Sequence, residues 1–259
     1  KAYDWRWYMP DGVTLVGQQL GITATAGDAA AVGVTSSLAG ATARFVSDKL
    51  NDIVSVKDFG AVGDGTTDDT AAFLAAIASI SPAQSLRGAT LHVPRGHYKL
   101  TGRLILSSYA IDNAVNISIQ GDGWLSTWLD FSTMTGGLDA ILIPGDQQVN
   151  ISGFFLKGGA GVRDGIHLGR NLADGGASSN AASMFGLSDI RVQGCARDGV
   201  HHYNSYMATI ERVYTLANGR DGFHGDGFHT SLKHINCYAL DNGEAGFRYN
   251  GMVYSSFDT

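Results

Sequence analysis

The sequence predicts an all-β solenoid, a parallel β-helix with one short helix near its start, and three observations predict it. Four segments align on a central glycine: Val162–His167, Ala196–His201, Gly219–His224 and Gly243–Arg248. Their glycines, Gly165, Gly199, Gly222 and Gly246, stand 34, 23 and 24 residues apart, and the long first interval holds an extra Gly/Ala/Ser/Asn loop over Asn171–Ser183. A period in the low twenties, built of short strands and glycine turns, marks a solenoid. Apolar pairs recur upstream in the same phase: Ile190 with Val192, Val213 with Thr215, Ile235 with Cys237. Composition agrees, because 35 glycines against 4 prolines, with no three-residue period, favour many tight turns over collagen. Leucine-rich repeats share the period but need a leucine–asparagine pattern that is absent. In this register Ile166, Val200, Phe223 and Phe247 point inward as a stacked ladder, and His167, His201, His224 and Arg248 form one outward row.

The elements follow in order. Tyr3, Trp5 and Trp7 alternate, as on a strand with one aromatic face, with Tyr8 beside them. Gly21–Thr42 is Ala, Gly, Thr and Ser with one charge, Asp28, and cannot build a core of its own. Residues 1–53 are therefore expected to form an anchor and neck segment, and residues 54–259 the capping helix and first part of the β-helix. Val54 and Val56 alternate on a short strand. Gly60, Gly63 and Gly65 bend the chain, and Thr67, Asp68 and Asp69 are placed to cap a helix. Phe73, Leu74, Ile77 and Ile80 recur on one helical face, and Ser81-Pro82 ends it. So short a helix is not stable alone and must cover the open apolar end of the first rung. Leu91 and Val93 then alternate before a Pro94-Arg95-Gly96 turn. Leu104–Leu106, Val115–Ile119 and Val149–Leu156 supply further strands, with a turn over Gln120–Trp124.

The run VSVKDFGAVGDGTTDDTAAF, Val54–Phe73, resembles the opening segment of pectate-lyase-like right-handed parallel β-helices, in the form found in bacteriophage tailspikes. Ala43–Ile53 resembles the neck leading into such helices, and Pro94, Gly96 and Tyr98 resemble the turn after their first full rung. The motif is specific for the fold, not for a substrate, and carries over no catalytic residue. The resemblance implies a homotrimeric virion spike. Such a spike binds and depolymerises a bacterial capsular polysaccharide or lipopolysaccharide, and its N-terminal segment joins phage tail or baseplate proteins. Hydrolysis is the expected chemistry and β-elimination the second. A non-catalytic receptor-binding spike on the same scaffold and a free pectin-degrading enzyme are the alternatives. The chain stops inside a repeat, so the β-helix and part of its active site are expected to continue past Thr259.

Charge and cysteines exclude other classes. A net charge of −6 gives no basic face for nucleic acid, and no apolar run is long enough to span a membrane. Cys195 and Cys237 make no disulfide framework. Asp198 and Asp221 take equivalent places on successive rungs, roughly 5 Å apart, a separation that retaining glycosidases use. Arg-Asp-Gly as a repeated turn, with Asp accepting backbone N–H bonds and Arg pairing along the ladder, is the favoured explanation. Residues that break the repeat are the better catalytic candidates: Glu211, one of two glutamates, and Asp226, acting as acid and base. His201, Tyr203, Tyr206, His224 and His229 are the candidate sugar contacts, the tyrosines by stacking. No metal and no cofactor is expected. Whole-rung spacing separates the histidines too far for one ion. Asp64-x-Thr66-x-Asp68 lacks the glutamate a calcium loop needs at its twelfth place, Ala75. No aspartate cluster of the calcium-dependent pectate lyases can be placed.

Overall fold

The computed structural model describes residues 33–34, 39–46, 52–80, 89–106, 117–145, 148–169, 181–253 and 256–258. The aromatic cluster at residues 3–8, Ser81-Pro82 and most of the 171–183 loop lie outside them. The chain divides into two compact units, Lys1–Ile53 and Val54–Thr259. In the first, Gly33–Val34 pairs antiparallel with Arg44–Phe45, and Arg44 pairs with Asp52 at 2.8 Å.

The second unit is a parallel β-helix whose rungs present three faces. The first face carries Val54–Ser55, Ala89–Val93, Ile117–Gly121, Asn150–Ser152, the first half of Gly186–Gln193, the middle of Ser205–Leu216 and His229–Ile235. The second carries Asp64–Asp68, Gly96–Lys99, Thr127–Asp130, Phe155–Lys157, the later halves of the same two long strands and Tyr238–Leu240. The third is a separate six-stranded sheet: Leu104–Ile105, Ile141–Ile143, Ile166–Leu168, Val200–Tyr203, Phe223–Asp226 and Phe247–Tyr249. Side chains alternate in and out, so each face contributes one inward ladder. Leu91, Ile119, Ile151, Leu187 and Ile210 stack from the first face. Ile141, Ile166, Val200, Phe223 and Phe247 stack from the third, the last two rings parallel at 4.7 Å.

Between the first two faces the chain turns on a single left-handed residue, Gly153, Asp189, Arg212 and Asn236 in successive rungs, with φ of 77°, 55°, 50° and 50°. Gly121 precedes Gly153 in this column, and there a Cβ would lie 2.2 Å from the Gly153 carbonyl oxygen. Only glycine fits that approach.

The helix Thr70–Ile80 buries Phe73, Ala76, Ile77 and Ile80 in the same core as the rungs, with Phe73 edge-on to Tyr98 at 5.3 Å. Burying Phe73 and Ile77 contributes about 2 kcal/mol each. Leu74, expected on this face, is 42% exposed, and Ala76 takes its place. Val56 is not on a strand: it opens a 3-10 turn over Val56–Phe59, capped reciprocally by Ser55 and Asp58, and is fully buried. Asp69 is not a side-chain cap either. Its carboxylate accepts the N–H groups of Val62 and Gly63, while Asp68 accepts that of Thr70 and so caps the helix. Asp64 accepts from Thr66 and Thr67, closing its own turn. Tyr98 donates to the Pro94 carbonyl at 2.8 Å and locks the first rung's turn. Cys195 and Cys237 are free thiols. Among the described residues no helix is long and apolar enough to cross a membrane.

Candidate functional site on the third sheet

The Arg-Asp-Gly repeats enter the third sheet from one side, and their pairing runs between rungs. Arg163 grips Asp139 through two parallel bonds of 2.8 and 2.9 Å, and Arg197 grips Asp164 and Arg220 grips Asp198 in the same way. Each arginine thus pairs with the aspartate of the rung before. The backbone follows: the N–H groups of Asp198, Asp221 and Ala245 donate to Asp164, Asp198 and Asp221. All four aspartates are buried. Burial alone would raise Asp164, but hydrogen bonds from His201 and Arg197 outweigh it and hold the carboxyl far below the usual range. Asp139 shifts the same way through His167 and Arg163. Asp198 and Asp221 are therefore parts of a ladder of neutralised, inaccessible carboxylates, and not a glycosidase pair. Asp139 heads this ladder and escaped sequence alignment because Ala140 stands where later rungs have glycine.

The outward row forms as the glycine register requires: His167, His201, His224 and Arg248 are neighbours on successive strands. The histidines are not solvated, since they lie at 0%, 2% and 3% exposure, with His167 and His201 stacked at 4.3 Å and His201 edge-on to His224 at 5.1 Å. His201 Nδ1 lies 3.2 Å from Asp164, and His224 Nδ1 lies 2.7 Å from Asp221.

Two residues further along the same strands stand Tyr203 and Asp226, in register. Asp226 is the accessible carboxylate of this face, 37% exposed, with His201 Nε2 at 3.5 Å and His224 Nε2 at 3.1 Å, and it accepts from Asn250 at 3.0 Å. His201, facing it at 3.5 Å, is the chief cause that keeps it ionised well below the normal carboxylate range. Burial works against the charge on His201, yet the carboxylates of Asp164 and Asp226 on its two sides prevail and raise it to about 9. An ionised base therefore sits beside an imidazolium at neutral pH. Aromatic side chains rim it: half-buried Tyr203 on the strand, and Tyr206 beside exposed Phe228 at 6.1 Å across the Asn204 corner, where Asn204 accepts the Phe228 N–H.

The structure therefore brings together His201, Tyr203, His224 and Asp226 on one sheet, and places Tyr206 past the Asn204 corner on the first face, beside Phe228. It does not bring Glu211 to them. Glu211 lies on the first face between Ser188 and Ile235, paired with Arg212, which also binds Asp189. Glu211 and Asp226 occupy different sheets and share no hydrogen-bond partner. His229 also departs from its expected role. It is fully buried in the lumen against His202 and Tyr249, because the turn through Gly227 and Phe228 resets the in–out phase before it. The three histidines do not converge on one point, but mixed groups do: Asp164–His167–His201, His201–His224–Asp226 and Asp198–Asp221–His224 each bring their donor atoms within 4.8 Å of one another.

A second concave region lies on the second face. His97, Trp128, Phe155, Arg191, Tyr214 and Tyr238 form its outward column. Arg191 lies over the Phe155 ring at 4.9 Å, and Trp124 stacks on Tyr214 at 6.0 Å. The grooves on either side of Arg191 measure about 350 and 220 Å³.

Residues 53–153 match the family model described as rhamnogalacturonase A/epimerase, pectate lyase-like. The chain is 29% identical over 214 residues to alginate lyase 7 of Azotobacter vinelandii, covering 79% of this chain and 24% of that protein. It is 57% identical over 44 residues to the tail spike protein of Escherichia phage K1E, covering 17% of this chain and 5% of that one. Among solved structures, ORF18 of Geobacillus virus E2 superimposes with a TM-score of 0.65 at 25% identity, over 81% of this chain and 41% of that one. The chain thus spans a quarter or less of the length of these curated relatives.

Proposed function

We propose that this pectate-lyase-like β-helix is part of a phage tail spike that binds and depolymerises an acidic bacterial surface polysaccharide, capsule or lipopolysaccharide. Within the virion it would act as a homotrimer joined to the tail through residues 1–53. The similarities to a phage tail spike and to a viral β-helix support the setting, and the similarity to an alginate lyase supports a uronate polymer.

The observation that carries the chemistry is the Asp226 cluster. A sugar chain lying across the third sheet meets Tyr203, Tyr206 and Phe228 as stacking surfaces and Asp226 as the ionised group among them. Arg248, 41% exposed one rung on, pairs with Asp221 at 3.2 Å and Glu244 at 2.8 Å, and a uronate carboxylate would share that cation with them. Two-carboxylate hydrolysis needs a second accessible carboxyl within about 5–9.5 Å. The carboxylates bonded to this cluster, Asp164 and Asp221, are buried and already paired, and the exposed Glu244 one rung on is held by Arg248 at 2.8 Å. Proton abstraction followed by β-elimination therefore fits better than hydrolysis: Asp226 takes the C5 proton, the C–H electron pair forms the C4=C5 double bond, the C4–O glycosidic bond breaks with its oxygen taking a proton from water, and the neighbouring imidazolium offsets the charge.

Incubating the protein with purified host polysaccharide tests this. Unsaturated uronate at new chain ends is expected. New reducing ends without unsaturation would replace elimination by hydrolysis, and no cleavage with retained binding would leave a receptor-binding spike.

A further inference from the structure

We infer that His201, His224 and Asp226 form a site for one divalent transition-metal ion of the zinc class. The inference deepens the reading of the third sheet as the reactive face and rests on it for its functional meaning, though not for its geometry.

Three donor atoms converge. His201 Nε2 and His224 Nε2 approach the same Asp226 oxygen at 3.5 and 3.1 Å. Bonds of about 2.0–2.1 Å to a tetrahedral ion set donor atoms roughly 3.3 Å apart, so little movement is needed. The far side of each ring is held. His224 Nδ1 faces Asp221 at 2.7 Å; His201 Nδ1 faces Asp164 at 3.2 Å, with Arg197 Nη2 beside it at 3.0 Å. The carboxylate behind His224 fixes the tautomer that turns its Nε2 lone pair toward the ion, as carboxylate–histidine–metal arrangements do, while at His201 Asp164 and Arg197 compete for Nδ1.

An independent observation points the same way. His201 Nε2 is buried and makes no hydrogen bond, although it is aimed into the cluster. Two imidazole nitrogens and a carboxylate that face one another are held together by a shared cation. A proton on His201 satisfies one ring; a metal ion satisfies both. Two nitrogens and one oxygen suit zinc, cobalt or manganese better than calcium, which takes six to eight oxygens. The exposed edge of Asp226 leaves an open position, the mark of a catalytic rather than a structural site. There an ion would replace the imidazolium as the group that polarises a uronate carboxylate, and with Asp226 Oδ2 turned to the ion, Oδ1 is the oxygen left to take the proton. The two other converging groups are wholly buried, their aspartates already held by arginines, and offer no such opening.

Chelator-treated protein titrated with Co²⁺ and Zn²⁺ tests the site, read by the visible Co²⁺ spectrum and by metal content after dialysis. One ion per chain is expected. Binding should weaken at least tenfold in both His224→Ala and Asp226→Asn, and stay unchanged in His92→Ala, whose ring pairs with Asp122 on the first face. Asp226→Asn conserves shape at an accessible position, so it keeps the test valid should His224→Ala fail to fold. No stoichiometric uptake, or uptake indifferent to Asp226→Asn, overturns the inference. Uptake by a protein that cleaves no polysaccharide upholds the metal site and sinks the catalytic reading. Cleavage by chelated protein that takes up no metal does the reverse.

Discussion

His201 and His202 leave one strand on opposite sides, and the clusters they join differ in every partner. Outside, His201 and His224 face carboxylates and sit under an arginine ladder. Inside, His202 bonds Ser205 Oγ at 3.0 Å and Tyr249 Oη at 3.1 Å, and Tyr249 reaches His234 Nε2 at 2.6 Å. His234 stands in register with Ile210, so a histidine takes the next place in the apolar ladder of the first face, with Phe257 in register beyond it. Burial leaves the inner rings neutral: His202 is pushed well below its usual value, and His234 falls to about 4. Equal burial thus gives opposite charge states, and the partner decides which. A carboxylate holds a proton on the ring, whereas a hydroxyl does not.

Several substitutions break or sharpen this contrast. Arg220→Ala strips Asp198, fully buried, of its two-bond partner and should cost about 3 kcal/mol in denaturant unfolding. An unchanged midpoint would mean the outer ladder is not held by charge. Asp226→Asn should reduce polysaccharide cleavage about 100-fold while leaving the unfolding midpoint near wild type, because it keeps shape at the exposed end of the cluster. A comparable loss of stability would make Asp226 structural. The inner cluster should respond to acid. His234 has a folded value of about 4 against 6.5 unfolded, so below pH 6.5 the unfolded chain takes up a proton that the folded chain refuses. Stability should fall between pH 6.5 and 4 by up to about 3 kcal/mol, and His234→Leu should flatten that limb. Tyr249→Phe should cost about 2 kcal/mol by leaving ring nitrogens of His202 and His234 without their shared hydroxyl. Smallest of all, Glu211→Gln should change cleavage less than twofold; a large loss would restore Glu211 to the active site.

The glycine register made the third sheet legible in advance. It placed Ile166, Val200, Phe223 and Phe247 inside, and the histidine row outside, because a period-2 strand fixes both once one residue is fixed. The corners were not legible. Asp189, Arg212 and Asn236 take left-handed backbone without being glycine, and although Asp and Asn tolerate it better than most residues, the Arg212 between them gives no such signal. Past such a corner the in–out phase starts afresh, which is why His229 points into the lumen. Burial of the histidine row was also hidden, since it depends on arginines arriving from the next rung. Leu74 shows the limit of helical spacing, where a small Ala76 suits a close-packed face better than a leucine.

The one-rung offset of the arginine ladder gives the solenoid a direction of growth. A rung that has just left the ribosome shows a bare aspartate, and the guanidinium that covers it is synthesised about 22 to 33 residues later, as the spacing from Asp198 to Arg220 and from Asp164 to Arg197 shows. At the last described rung the repeat changes, with Glu244 in the arginine's place and Arg248 turning back to Asp221 at 3.2 Å. Each coil is thus completed by its successor, and a nascent chain carries at its growing end an electrostatic socket that only the next coil fills.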